Sequence, residues 1–281
     1  MALRYDVARK LAGPVFVNLG AANLGAPAKQ FLDDCRTGSL RAGSLRTTAQ
    51  KALRWAGMSH FDANGLLNMY PLHLCSTDHL TALKAAAGVA NSWRSGLDVG
   101  AGDGRITKQL QPLFTDPLAA TETSKWMTRR LRTAGFSAWH GDLCAEGGAA
   151  GLSLALKQEE SEPCKFDVVA ILNVLDRCPQ PRTLLQSAVQ LIRPGGYCIV
   201  SSPLPFKPFW FAGGQPARPL EEFMSELLGT FEDEAEELLG NIAEAGLRPL
   251  AYGRLPYLSS GDSKREFFEY DACLALFQKA Q

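Results

Sequence analysis

The sequence predicts an α/β protein with a doubly wound, mostly parallel sheet and a helical N-terminal extension, and three observations support this. From about residue 91 onward, short apolar segments typical of buried strands alternate with amphipathic helical segments. The first of these strands runs directly into a glycine-rich turn, Gly100–Gly104. The segment Phe166–Leu175 is apolar almost throughout, as expected of a strand buried on both faces. Such alternation predicts parallel strands with helices covering both sides of the sheet.

The composition is that of an ordinary globular protein. Of 281 residues, 46% are hydrophobic and 21% are charged, which fits one large α/β domain with an extension. Lysine plus arginine equals aspartate plus glutamate at 29 each, so the charge balance gives no reason to expect a nucleic-acid partner. The seven cysteines show no paired zinc-type spacing, and we expect reduced thiols.

No stretch of about 18 apolar residues occurs, so we expect no membrane span. The apolar run near the N-terminus is short and is broken at Gly13 and Pro14, which argues against a signal peptide. We therefore expect a soluble monomer inside the cell. The sequence does not indicate in which cellular compartment it lies.

Residues 1–90 are predicted to form the helical extension or cap. Apolar residues recur there at helical spacing between glycines, and no segment alternates as a strand would. Ser76–Asp78 precedes HLTALKAAAG and is typical of a helix N-cap. The α/β domain is predicted to follow at residues 91–281.

Seven strands are predicted in the α/β domain: SGLDVG, LAATE, FSAWHGDL, FDVVAILNVL, YCIVSSPL, RPLAYGRLPYL and EFFEYDACLALFQK. The helices between them are RITKQLQPLF, SKWMTRRLRTAG and PRTLLQSAVQLI, because their apolar residues recur every three or four positions. Glu146–Lys165 is predicted as a loop with one short helix. Leu220–Gly246 is predicted as an acidic helix or helix pair whose Glu232–Glu237 face is solvated.

The glycine turn is the first candidate binding feature. Asp98 ends the strand, and Gly100, Ala101 and Gly102 then let the backbone approach a ligand, with free amides at the start of the next helix. A dinucleotide fingerprint would need a third glycine at position 105, where the sequence has Arg105. A tight turn without a ligand is the alternative.

Two further strand ends carry acidic residues. Glu122 follows the turn by about 20 residues, where a carboxylate can accept hydrogen bonds from ribose hydroxyls. Asp142 and Leu143 end the third predicted strand. Taken alone, each carboxylate could equally be a solvated strand end.

The spacing Asp-x-Gly-x-Gly-x-Gly resembles motif I of class I S-adenosylmethionine-dependent methyltransferases. This resemblance implies that Asp98 and the turn hold the methionine end of S-adenosyl-L-methionine, and that S-adenosyl-L-homocysteine is the product. It also implies ribose binding by Glu122 and adenine contacts at Asp142 and Leu143.

Five segments resemble one family more closely: LDVGAGDGRITK, AATETS, ILNVLDRCPQPRTLL, PLPFKPF and RLPYLSSGD. Over roughly residues 63–277 the chain resembles the DREV-type methyltransferase-like family. The resemblance implies a class I (Rossmann-like) fold with a seven-stranded sheet. Characterised members are protein-L-histidine N-pros-methyltransferases that act on His-x-His sequences with x small, so proteins or peptides with that motif are the implied partners.

The same resemblance implies roles for the polar residues after the fourth strand. Asp176 would accept a hydrogen bond from the tele nitrogen of the acceptor imidazole, and Asn173 would orient the methionine end of the cofactor or the ring. Tyr257 would supply a hydroxyl or a ring wall at the acceptor. Arg177 would contact the peptide or, alternatively, pair with a carboxylate to hold the loop. The four histidines show no metal-ligand spacing, and no metal is expected.

Two other functions are compatible with the sequence. One is a small-molecule class I methyltransferase whose pocket is closed by the helical cap, and the other is an inactive cofactor-binding module that works by interaction. Phe206, Phe209, Trp210 and Phe211 could wall a peptide groove or pack under the cap.

Overall fold

The computed structural model describes residues 3–20, 26–41, 43–156, 165–212, 214–225 and 229–280. The helices there are α1 (Ala26–Arg36), α2 (Ser44–Trp55), α3 (His60–Leu67), α4 (Thr77–Ala86), α5 (Arg105–Leu110), α6 (Lys125–Thr133), α7 (Gly148–Ala155), α8 (Pro181–Gln190) and α9 (Phe231–Ala243). The strands are β1 (Val15–Phe16), β2 (Leu72–His73), β3 (Gly96–Val99), β4 (Ala119–Glu122), β5 (Ser137–His140), β6 (Phe166–Leu172), β7 (Ile192–Leu204), β8 (Trp210–Ala212), β9 (Gln215–Ala217), β10 (Leu247–Ser260) and β11 (Phe267–Lys279).

The main sheet has the strand order β1-β10-β11-β7-β6-β3-β4-β5, and β2 also pairs with β10. Strands β5, β4, β3, β6 and β7 are mutually parallel, whereas β11 runs antiparallel to both β7 and β10. These five with β10 and β11 are the seven predicted strands, and the class I (Rossmann-like) fold is confirmed. The strand order reverses between β3 and β6, where ligands bind in open α/β sheets.

The two faces of the sheet bury separate apolar cores. Along β6, Val169 and Ile171 face one core with residues of α8 and α9. Val168 and Ala170 face the other core with residues of α4 and α5. This alternation explains why β6 is apolar almost throughout, since a central parallel strand is covered on both sides.

The N-terminal region is not purely helical. Strand β1 pairs with Ala251 and Tyr252 of β10, and β2 pairs with Leu258 and Ser259 of the same strand. The expectation of no strand between Tyr5 and about Met69 was therefore wrong at β1, and β2 follows just after that range. A two-residue strand has no periodicity to detect, and it forms because the edge of β10 offers unpaired backbone groups. Helix α4 has the predicted cap, with the Ser76 hydroxyl accepting the His79 N–H.

The acidic segment also differs from the prediction. Helix α9 begins only at Phe231, after a capping box formed by Thr230, and the described residues between Leu220 and Thr230 are not helical. Glu232 and Glu234 are buried rather than solvated. Their carboxylates accept the backbone N–H groups of Ala8 at 2.5 Å and Phe206 at 2.7 Å, which fastens α9 to distant segments.

Helix α7 is the short helix predicted within Glu146–Lys165, and residues 157–164 of that segment lie outside the described residues. The strands Trp210–Ala212 and Gln215–Ala217 form a small separate hairpin, β8–β9. No helix within the described ranges is both long and apolar enough to span a membrane.

Candidate active site

The glycine turn follows β3 and packs against the loop after β6. Gly100 has φ +67°, and a Cβ at this position would lie 2.8 Å from Val174 Cγ2. Any other residue would therefore combine a left-handed backbone with a steric clash. A Cβ on Gly102, also left-handed at φ +56°, would meet no atom within 4 Å. The turn thus has open space on one side and Val174 on the other.

Asp98 lies beneath this turn in a buried position. Its Oδ2 atom accepts a hydrogen bond of 2.7 Å from the Thr107 hydroxyl, which α5 presents. Burial raises the pKa of Asp98 to about 7; the hydrogen bond from Thr107 opposes this shift, and the negative charge of Glu122 adds to it. A cationic ligand beside this carboxylate would favour its ionised form.

Glu122 ends β4 next to the turn, because β3 and β4 are parallel neighbours. Its two carboxylate oxygens accept the N–H groups of Gly102 and Ser124, each at 2.9 Å. Burial raises the pKa of Glu122, and these amide hydrogen bonds counteract it. Oε1 also accepts the Thr123 hydroxyl at 3.5 Å, so Oε2 is the oxygen that retains a free lone pair for a ligand hydroxyl.

The predicted adenine-contacting pair follows β5. Asp142 is exposed, and its Oδ1 atom accepts the Cys144 N–H at 2.8 Å, which turns the chain toward α7. The Leu143 side chain is buried in the apolar core. The predicted strand included both residues, whereas β5 ends at His140 and the two residues lie just past its carboxyl end.

Asn173 is the first residue after β6 and has a left-handed backbone with φ +57°. Asparagine adopts this conformation more readily than most residues, and such outliers concentrate at functional sites. Its Oδ1 atom accepts a 2.7 Å hydrogen bond from Ser201 Oγ on β7. Its Nδ2 atom is buried without a hydrogen-bond partner among the described residues.

Asp176 is almost completely buried, at 1% exposure. Its Oδ2 atom lies 2.5 Å from Nη1 of Arg177, whereas Oδ1 is buried and has no partner in the described part of the chain. Burial raises the pKa of Asp176 to about 6, and the positive charge of Arg177 opposes the shift. One oxygen of a buried carboxylate is thus available to a hydrogen-bond donor.

Tyr257 reaches this site from β10, far along the chain. Burial raises the pKa of its hydroxyl, and the negative charge of Asp176 adds to the effect. Its ring packs beside that of Tyr270, its cross-strand neighbour on β11, at 5.6 Å. The structure therefore brings Asn173, Asp176 and Tyr257 together, although about 80 residues separate Tyr257 from the other two.

Arg177 holds the loop as well as the carboxylate. Its Nη1 atom donates to the carbonyls of Asp176 at 2.8 Å and Lys207 at 3.3 Å. Its guanidinium lies 4.2 Å from the ring centroid of Phe209. Of the two roles considered for Arg177, these contacts favour pairing with a carboxylate, and contact with a peptide stays a prediction.

The sequence model of the DREV methyltransferase family matches residues 5–279. The chain belongs to the DREV methyltransferase family. The match includes the helical extension as well as the α/β domain. As a DREV methyltransferase, the chain has S-adenosylmethionine as its cofactor.

Curated relatives with similar sequences are small-molecule enzymes by name. A ubiquinone biosynthesis O-methyltransferase of Methylococcus capsulatus is 24% identical over 169 residues, which is 59% of this chain and 63% of the relative. Another of Cupriavidus pinatubonensis is 27% identical over 139 residues, covering 47% of this chain and 49% of the relative. The DREV methyltransferase thus spans between about half and two thirds of these relatives.

Solved structures with a similar fold include N-methyltransferase NodS of Bradyrhizobium japonicum WM9 in complex with S-adenosyl-L-homocysteine. It is 18% identical with a TM-score of 0.43, covering 73% of this chain and 87% of NodS. Magnesium protoporphyrin IX methyltransferase (ChlM) of Synechocystis PCC 6803, with bound S-adenosylmethionine, is 14% identical with a TM-score of 0.43, covering 73% and 78%. At such identities and scores, neither structure informs the substrate of the DREV methyltransferase.

The residues around the glycine turn suit this cofactor. The buried carboxylate of Asp98 suits the cationic methionine end, and Glu122 has acceptor capacity for ribose hydroxyls. The open side of Gly102 leaves room beside the turn, since a Cβ there would meet no atom within 4 Å. Within the described ranges, no three His, Cys, Asp or Glu side chains are grouped so that they could hold a metal ion.

Several supporting residues were not predicted from the sequence. Thr107 holds Asp98, Ser201 holds Asn173, and Asp62 of α3 accepts a 2.7 Å hydrogen bond from Ser124 Oγ beside Glu122. Only Ser201 gave a local signal, as one of two serines inside a buried strand. The others follow from which elements become neighbours in space.

Proposed function

We propose that this DREV methyltransferase transfers the methyl group of S-adenosylmethionine to the N-pros (N1) nitrogen of histidine in proteins that carry His-x-His sequences with x small. One observation carries the proposal, together with the family resemblance. The free Oδ1 atom of the buried Asp176 lies past the carboxyl end of β6, near Asn173 and Tyr257. A buried acceptor without a donor suits the N–H group of an imidazole.

Methyl transfer to an imidazole nitrogen requires few protein groups. S-adenosylmethionine supplies an electrophilic methyl group on a sulfonium sulfur. The pros nitrogen of a neutral imidazole would form the new N–C bond in line as the C–S bond breaks and S-adenosyl-L-homocysteine leaves, and the ring would then lose its tele proton to Asp176 or to water. The protein must therefore mainly position the ring and leave the lone pair of the pros nitrogen free. Asp176, by accepting the N–H of the tele nitrogen, selects this tautomer and stabilises the positive charge that develops on the ring.

Asp176 must be ionised for this role, and its environment permits that near neutral pH. Its pKa of about 6 lies below 7 because Arg177 counteracts part of the effect of burial. The acceptor imidazole must be neutral, and its ordinary pKa is about 6.5. Tyr257 packs at the same site, where its ring and hydroxyl can confine the imidazole.

The test is incubation with methyl-labelled S-adenosylmethionine and a His-Ala-His peptide, beside the two peptides in which one histidine is alanine. We expect labelling of the His-Ala-His peptide at N-pros, identified by NMR of the product imidazole. The matched variant Asp176→Asn keeps the shape of the side chain and loses its charge. Absence of label from every histidine peptide at full cofactor binding would overturn the proposal.

A small-molecule acceptor is the second candidate. It is favoured by the curated relatives, which are named ubiquinone biosynthesis O-methyltransferases. Labelling of a catechol or phenol under the same conditions, with no labelling of His-Ala-His, would support it instead. Methylation of a catechol hydroxyl should also be slower in Asp176→Asn. The comparison of histidine peptides with catechols and phenols as acceptors is therefore what separates the two candidate functions.

A further inference from the structure

Helix α3 of the N-terminal extension is joined to the hairpin β8–β9 by stacked aromatic rings. The rings of His60 and Phe211 are nearly parallel, with centroids 4.0 Å apart and planes 17° apart. Phe61 packs edge-on against Phe211 at 5.8 Å, and Arg54 donates a hydrogen bond to the Gly214 carbonyl. An isolated two-stranded hairpin is marginally stable, so these contacts with α2 and α3 hold it in place.

The stack involves a neutral imidazole. Burial lowers the pKa of His60 to about 4, and the positive charge of Arg54 adds to this effect. The Nε2 atom of His60 is paired with the Asn64 amide at 3.0 Å. At neutral pH the His60–Phe211 contact is therefore an aromatic stack without a formal charge.

The hairpin in turn contacts the loop that carries Asp176. Phe209 lies edge-on against Phe211, with centroids 5.6 Å apart and planes 88° apart. The Phe209 ring faces the Arg177 guanidinium at 4.2 Å, and the Phe209 N–H donates to the Asp176 carbonyl at 3.1 Å. Phe209 therefore contacts both members of the Asp176–Arg177 ion pair, one through its ring and the other through its backbone.

Arg177 needs such support because its side chain is 34% exposed, whereas that of Asp176 is 2% exposed. A partly solvated arginine on its own holds a single geometry weakly. The other titratable side chains that face Asp176 are Tyr257 and Cys178, and the negative charge of Asp176 raises the pKa of both, secondary to burial. Among the described residues, Arg177 is the cation whose charge opposes the effect of burial on the pKa of Asp176.

We infer that Phe209 and Phe211 are positioning residues, which transmit the packing of α3 to Arg177 and thereby hold the Asp176 carboxylate at the acceptor site. The extension is then part of the acceptor site rather than a separable cap. This inference rests on the proposed function, because the role of Asp176 at the acceptor is part of that proposal.

The kinetic test uses Phe209→Leu, with Phe209→Tyr as the conservative variant. Phe231 provides a matched control, because its ring lies 4.5 Å from the Arg254 guanidinium, and Arg254 pairs with Asp271 at 2.6 Å, away from Asp176. We expect Phe209→Leu to lower kcat/KM for the peptide about tenfold, from the lost cation–π contact. In a plot of kcat/KM against pH, the fall on the acidic side should move to higher pH in Phe209→Leu. Phe209→Tyr and Phe231→Leu should both retain the wild-type pH profile. An equal loss in Phe209→Tyr or in Phe231→Leu would overturn the inference.

The second test needs no substrate. Hydrogen exchange is measured on the wild type, on His60→Ala and Phe211→Leu, and on the control Phe231→Leu. The conditions are chosen so that the free energy of unfolding is the same for all four proteins. The Arg177 N–H, bonded to the Val174 carbonyl at 2.9 Å, and the Phe209 N–H report the order of the loop. We expect both amides to exchange faster in His60→Ala and Phe211→Leu than in the control.

Unchanged exchange at these two amides would overturn the coupling even if the peptide is methylated. Conversely, a wild-type protein that does not methylate the peptide refutes the proposed function, and the exchange result still decides the coupling. The two failures are therefore distinguishable.

Discussion

Replacing Asp98 by Asn should increase the unfolding free energy of the protein and weaken its binding of S-adenosyl-L-homocysteine. The pKa of Asp98 rises from 3.8 to about 7 on folding, chiefly because of burial. Three pKa units correspond to about 4 kcal/mol at pH values above 7. Because the native state holds the proton more tightly, the unfolding free energy falls as pH rises from about 4 to 7. Asp98→Asn removes this pH-dependent loss and retains an oxygen for the Thr107 hydroxyl.

The assay is urea denaturation of the cofactor-free protein at pH 5 and pH 8. With the two pKa values above, the cost of the buried charge is about 2 kcal/mol at pH 5 and about 4 kcal/mol at pH 8. Relative to wild type, Asp98→Asn should therefore be more stable at pH 8 than at pH 5, with a difference of about 2 kcal/mol. The same variant should bind S-adenosyl-L-homocysteine about 10- to 100-fold more weakly at pH 8, because a charge-assisted hydrogen bond is lost.

The control is Asp167→Asn. Asp167 is similarly buried, on the neighbouring β6, but its carboxylate is paired with Arg193 at 2.5 Å and accepts the Arg94 N–H at 2.7 Å. Removing its charge should destabilise the protein at both pH values, because the buried carboxylate loses charge-assisted hydrogen bonds from the N–H groups of Arg94 and Ser95. If the effect of Asp98→Asn on the unfolding free energy is the same at pH 5 and pH 8, the raised pKa of Asp98 is wrong.

Four further outcomes are expected. Asp176→Asn should lower kcat for the histidine peptide about 100-fold or more, with cofactor affinity by calorimetry unchanged. The wild-type rate should fall as the pH drops through about 6.5 to 6, because the acceptor imidazole, with an ordinary pKa of about 6.5, and Asp176, whose pKa is raised to about 6, both become protonated; a flat profile down to pH 5 would contradict this. Gly100→Ala should cost about 2–3 kcal/mol in urea denaturation, because it clashes with Val174, whereas Gly135→Ala, with φ +92° and no atom within 4 Å, should cost about 1 kcal/mol. Tyr257→Phe should raise KM for the peptide and leave the affinity for S-adenosyl-L-homocysteine unchanged. If the affinities for peptide and for S-adenosyl-L-homocysteine fall equally, this prediction is refuted.

The strands of the sheet were predictable because each has a local pattern. β6 is apolar almost throughout and β3 ends in a glycine turn, and both patterns are visible in fewer than about ten residues. The short strands β1 and β2 were not predictable, since two residues form no pattern and their pairing is decided by the edge of β10.

Burial of charged side chains was the main point at which prediction from sequence failed. Glu232 and Glu234 lie in a run of acidic residues that reads as a solvated helix face, yet both are buried against backbone N–H groups of remote segments. A carboxylate becomes stable in such a position only when a particular donor meets it. The donor is a backbone N–H group that the fold brings next to the carboxylate, and no local sequence pattern predicts it.

The sequence by itself determined the class of fold, the glycine turn, and the positions of Asp98 and Glu122 at strand ends. It also placed Asp176 after the fourth strand, although β6 ends at Leu172 rather than at the predicted Leu175. These features follow from local periodicity and from the rule that carboxyl ends of parallel strands share one edge of a sheet. Only the tertiary structure decided that Tyr257 lies beside Asp176, that Ser201 orients Asn173, and that α3 contacts the hairpin behind Arg177. Those contacts join residues far apart in the chain, and their geometry depends on how the helices and strands pack together.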